Sequence, residues 1–256
     1  MSPVDALFWA YAAVLGAATG SFLNVCVVRL PAEESVVRPP SRCPGCAARI
    51  AWYDNIPILS YLWLRGRCRH CGEPISARYP LVEASTALVW LGMAVWYGPS
   101  WRALEGAVLF SLLLGIALID ARHYLIPDVL SIGGLAAGLA LSLLPGGVGP
   151  LEAAGAAAGG FLLLWLVGVV GEWWLDRPAM GGGDMKLLAM IGAFLGPVDT
   201  LLSLFLGALT GTVVFGPVSL KTGKLVPFGV FLALGAALAF LFGDPLTEWY
   251  RAWAFG

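Results

Sequence analysis

Polar residues along this 256-residue chain are gathered into interruptions between long apolar runs. Eight such runs stand out, at 6–28, 81–97, 103–119, 129–144, 151–175, 185–195, 200–220 and 226–242. Most approach the ~20 residues a helix needs to cross a hydrocarbon core, and the sixth is the shortest. The predicted fold class is therefore an all-α polytopic membrane protein with about eight transmembrane helices. One interruption, 29–80, is far longer than the others. It separates a first transmembrane helix (1–28) from a seven-helix membrane domain (81–256), with a soluble loop domain (29–80) between them. Within the runs, glycines recur four apart: Gly16/Gly20, Gly134/Gly138, Gly155/Gly159, Gly192/Gly196 and Gly207/Gly211. That spacing lets helices approach closely in lipid, so packing into a compact bundle is expected of most of these pairs.

Composition strengthens the reading. The chain is 59% hydrophobic and only 12% charged, against about a quarter charged in soluble domains. Its net charge is −1, and no basic stripe is available for nucleic acid. No basic residue precedes the first run, which therefore does not read as a cleaved signal peptide. With the N-terminus outside, thirteen of the 15 Lys and Arg fall on the cytoplasmic side, leaving only Arg102 and Arg251 outside. Positive charge follows the inside, so the loop at 29–80 and the turns holding Asp120 and Asp184 are expected to be cytoplasmic.

The loop carries Cys43, Cys46, Cys68 and Cys71, two C-x2-C pairs separated by 21 residues. Such pairs supply four thiolates to a tetrahedral zinc, and a filled shell makes the metal structural. The alternative is disulfides or free thiols, which a cytoplasmic location makes the weaker reading. His70 reads as a loop residue, and Cys26, inside the first run, as a small buried hydrophobe.

Acidic residues are costly near a membrane core. Glu105 and Asp199, among others, fall at outer ends where water can reach them. Glu83, Glu172 and Asp176 are placed near interfacial water. Asp120, Asp128 and Asp184 stand apart. Asp120 ends a run of thirteen uncharged residues, on the last turn of a helix whose dipole opposes it. Asp128, after Ile126 and Pro127, reads first as a helix N-cap. Asp184 also suits a cap, yet Gly181, Gly182 and Gly183 precede it. Three glycines exceed what a cap needs, and they permit a substrate backbone to come close. Asp120 and Asp184, at one membrane face on different helices, would share a proton if brought together. One would then activate water while the other protonates a scissile carbonyl, as in aspartic proteases.

With these motifs the chain resembles the bacterial type IV prepilin peptidases, G-x-G-D aspartic membrane proteases. The likeness runs through "GSFLNVCVVRLP" (20–31), "SRCPGC", "NIPILSYL", "RGRC", "RYPLVE" (78–83), "IDARHYLIPD" (119–128), the G-x-G-D at 181–184 and "PFGVFLALGA" (227–236). One departure is Val230, where the family is expected to carry proline. The resemblance implies that prepilins and pseudopilins are the substrates, cut after a glycine at the cytoplasmic face of the inner membrane. It implies methylation of the new N-terminus from S-adenosylmethionine, with the cysteine loop as the methylation-associated part. The family's catalytic aspartates fall on Asp120 and Asp184, and its four cysteines on Cys43, Cys46, Cys68 and Cys71. No glycine-rich nucleotide motif shows where the methyl donor binds. A peptidase without methyl transfer, a G-x-G-D protease of other substrates, and a non-catalytic membrane scaffold whose zinc knuckle recruits partners are the competing readings.

Overall fold

A computed structural model describes residues 3–177, 179–222 and 226–255. Lys224, one of the charges assigned to the cytoplasmic side, lies outside the described residues. The helices are α1 (Pro3–Arg29), α2 (Leu59–Trp63), α3 (Arg78–Tyr97), α4 (Trp101–His123), α5 (Asp128–Leu141), α6 (Pro150–Leu175), α7 (Gly182–Thr222) and α8 (Phe228–Phe255). Among the described residues there is no strand, only two isolated β-bridges. This is the all-α membrane protein expected.

Every apolar run lies in helix, but two of them share α7. That helix is broken at Gly196, with φ 74°, directly before Pro197. Glycine reaches the left-handed region without penalty, and proline cannot continue the hydrogen-bond ladder. Among the described residues, five helices can cross a membrane by length and composition: α1, α4, α6, α7 and α8. At 14 residues, α5 is apolar but shorter.

The chain divides into two compact units, Met1–Ser111 and Leu112–Gly256. In the first, α1 packs along α3. A Cβ added at Gly16 would lie 2.6 Å from the Thr86 carbonyl oxygen, and one at Gly20 would lie 2.7 Å from the Glu83 Cα. Thr86 has no exposure and returns its hydroxyl proton to the Val82 carbonyl at 3.0 Å.

In the second unit α7 packs against α5, α6 and α8. Leu187, Leu188, Met190, Ile191, Ala193 and Phe194 have no exposure at all. The short sixth run is thus buried within the chain rather than presented to lipid. Gly134 and Gly138 make room for Met190 and Phe194, Gly192 for Ala156, and Gly207 for Leu232. Gly155 and Gly159 differ: a Cβ at either would meet nothing within 4 Å. Packing within the chain, expected of most of the five pairs, is therefore not the role of this one.

Candidate functional site

The cysteine loop is built from two copies of one turn. Cys43 accepts the Ala47 N–H at 2.9 Å, and Cys68 accepts the Gly72 N–H at 3.0 Å. Each turn then closes with an isolated bridge, Arg42 with Arg49 and Arg67 with Pro74. The fourth residue after each first cysteine is left-handed, Ala47 at φ 58° and Gly72 at φ 73°. The repeat is legible as R-C-x-x-C-[AG]-x-x-I at 42–50 and 67–75, a signal that counting cysteines alone passes over.

These turns bring all four sulfurs within 4.8 Å of one another. Cys43 Sγ and Cys71 Sγ are 3.7 Å apart. Four sulfurs on a tetrahedron of Zn–S radius ~2.3 Å would be separated by about 3.8 Å. The set therefore fits a metal ion. Its electrostatics point the same way. The N–H groups of Cys71 and His70 hold the Cys68 thiol down to about 6. Although the Glu73 N–H favours the Cys71 thiolate, burial among the other sulfurs pushes that thiol up to about 12. A thiolate is favoured at Cys68, whereas one at Cys71 calls for a cation beside it. Arg69 braces the loop, donating from Nε to Asp54 at 2.8 Å and lying over the Tyr53 ring.

Beneath the turns lies a cavity of about 420 Å³ within the first unit, reached by Asn24 of α1 and Glu83 of α3. Glu83 is not at interfacial water as expected. It is buried, and Oε2 accepts the Ile58 N–H at 2.7 Å. Asn24, buried in the apolar face of α1, donates to the Tyr79 carbonyl at 3.0 Å. A lone Asn inside "FLNVC" was the available signal for it. Glu105 is likewise buried rather than solvated, and accepts from Arg102 at 2.9 Å.

In the second unit three helix ends converge around Ile126. Asp120 lies in the last turn of α4, as expected, and is only 5% exposed. Its Oδ2 accepts the Val230 N–H at 3.1 Å. That donor belongs to the first turn of α8, so a carboxylate opposed by its own helix sits at the favourable end of another. A proline at 230 would have no such proton to give. A Cβ at Gly229 would lie 2.9 Å from this same Oδ2 and 2.9 Å from Ile126 Cδ1.

Asp184 is half-buried in the first turn of α7, which begins two residues earlier at Gly182. It is therefore within the helix and not its N-cap. Asp120 is close enough for its charge to act on the Asp184 carboxyl. Of the three preceding glycines none has a positive φ. A Cβ at Gly181 would lie 3.0 Å from Asp184 Oδ2, and one at Gly183 would lie 2.9 Å from Ile126 Cβ. Gly182 faces open space. Close packing explains the two outer glycines, and Gly182 leaves an uncovered backbone.

Asp128 is not a cap either. It is the first residue of α5, behind Pro127, and no side chain caps that helix. Its two oxygens accept from Lys186 Nζ at 2.7 and 2.8 Å. The partner comes from 58 positions along the chain, which propensity has no means of seeing.

Comparison with known proteins agrees with this layout. The model of the bacterial peptidase A24 N-terminal domain matches residues 14–97, and that of the type IV leader peptidase family matches 107–216. A prepilin leader peptidase/N-methyltransferase of Aeromonas hydrophila is 40% identical, over 90% of this chain and 89% of the relative. One of Stutzerimonas stutzeri is 36% identical over 99% of both chains. Another, of Myxococcus xanthus, is 43% identical over 86% of this chain and 66% of the relative. No solved structure matches. With two family models covering most of its length and relatives alike from end to end, the chain belongs to the type IV leader peptidase family.

Proposed function

We propose that this chain removes the basic leader of type IV prepilins and pseudopilins and then N-methylates the new N-terminus. The observation that carries the reading is the juxtaposition of Asp120 and Asp184 at three converging helix ends, in a chain whose relatives bear the name prepilin leader peptidase/N-methyltransferase.

Two carboxylates whose charges act on one another hold a proton between them more cheaply than two charges. With one ionised, that carboxylate takes a proton from water and the hydroxide attacks the carbonyl of the leader's last residue, the glycine. The protonated partner donates to the carbonyl oxygen, and the amine leaves with a proton as the C–N bond breaks. The uncovered backbone at Gly182 gives the scissile segment a surface to lie against. The substrate's own apolar helix stays in lipid beside the bundle.

Cys43, Cys46, Cys68 and Cys71 hold a structural zinc that fixes the loop. The methyl donor is S-adenosylmethionine. The protein lies in the bacterial inner membrane with its N-terminus outside, and the loop and both aspartates face the cytoplasm. The test incubates purified protein with a prepilin and methyl-labelled S-adenosylmethionine. A shortened pilin carrying label at its new N-terminus is expected. An uncut prepilin overturns the peptidase reading, and cut but unlabelled pilin overturns the methyltransferase half.

A further inference from the structure

We propose that the cavity of the first unit is the methyl-donor site and that Glu83 faces the two cations brought together there. This rests on the methyltransferase half of the function proposed above and deepens it. The cavity, about 420 Å³, suits a nucleoside-sized ligand, since small-molecule sites run from roughly 300 to 1,000 Å³. Its walls come from α1, both cysteine turns and the start of α3.

The other charged groups lining it are Arg29, Arg42, Arg49, Asp54, Arg69 and Glu73, and three of these have side-chain partners. Arg69 holds Asp54. Arg29 donates to the Ser35 carbonyl at 2.9 Å and to the Pro39 carbonyl at 2.8 Å. Glu83 is different. It is 9% exposed and lines the cavity, and among the described residues no Lys or Arg pairs with it. Its Oε2 is fixed by the Ile58 N–H. Ile58 sits at φ 61°, where a β-branched residue is a steric outlier. Strain of this kind persists where the surroundings over-determine it, here aiming one N–H at one carboxylate. Gly20 lets α1 close against the Glu83 backbone.

The transfer explains why a buried carboxylate belongs there. Its partners are a sulfonium and an N-terminal ammonium, both cationic, and a fixed anion offsets their charge. The ammonium also lacks a lone pair. Glu83 accepts its proton. The freed nitrogen then attacks the methyl carbon, and the N–C bond forms as the C–S bond breaks. The bonding pair stays on sulfur as a neutral thioether, the positive charge passes to the methylated amine, and Glu83 returns its proton to water.

The full chain in lipid nanodiscs is irradiated with methyl-labelled S-adenosylmethionine, and the cross-linked peptides are mapped. Methyl transfer to a pre-cut pilin peptide is measured beside it. Label is expected within 21–83, and Glu83→Gln is expected to transfer methyl about a hundredfold more slowly at unchanged zinc content. Label confined to 112–256, or wild-type transfer by Glu83→Gln, overturns the site and leaves the methyltransferase reading intact. Wild-type protein that cuts prepilin yet neither takes label nor transfers methyl overturns that reading and the site together. Should Glu83→Gln lose its zinc, the wild-type label map decides alone.

Discussion

Side chains around Ile126 decide whether two carboxylates meet. Gly183 and Gly229 are both pressed against Ile126, and Gly229 also against Asp120 Oδ2. A methyl group at either must displace one of these neighbours. Shifts of about 1 Å at reacting groups cost on the order of a hundredfold in rate. Gly183→Ala and Gly229→Ala are therefore expected to cut prepilin about a hundredfold more slowly than wild type, as read by gel shift of the pilin. Cleavage at the wild-type rate by both variants would contradict the packing argument. Asp128→Asn breaks only a partly exposed pair with Lys186 and is expected to change stability by less than about 1 kcal/mol. That Asp120 and Asp184 stand at helix ends was legible in sequence, because a charge stands out against an apolar run. Glu83 was misread because its burial comes from a loop folding over it, and Asp128 because its partner is distant in sequence.

The cysteine loop is the element with least apolar support, so its order should depend on the metal. Chelation is expected to release one zinc per chain and to expose 42–78 to protease, leaving the helices intact by circular dichroism. A metal-free protein with unchanged protease resistance would refute this. Thiol number and spacing were plain in the sequence. The duplicated turn was plain as well, although its left-handed residues, Ala47 and Gly72, emerge only from the backbone. Helix α7 shows the converse. Two apolar runs predicted two helices, and Gly196 with Pro197 breaks one long helix between them.

At the scale of the molecule, the division after Ser111 assigns the two proposed activities to different units. Methyl transfer to a pre-cut pilin is thus expected to survive Asp184→Asn. A folded Asp184→Asn protein that cannot methylate pre-cut substrate would require a shared site. Fold class was legible because lipid leaves few options for backbone polar groups. Which runs cross the membrane and which fill the core was less so, since Leu187–Leu195 and a lipid-facing run look alike in composition. The central claim is that Asp120 and Asp184 act as one unit in cleavage. Its most direct test is single-turnover cleavage of a prepilin by wild type, Asp120→Asn, Asp184→Asn and the double variant, each checked for zinc content and thermal unfolding. Both single variants are expected to fall to the level of the double variant while remaining folded, because losses within a catalytic unit do not add. A folded single variant that still cuts at a rate near wild type would contradict it.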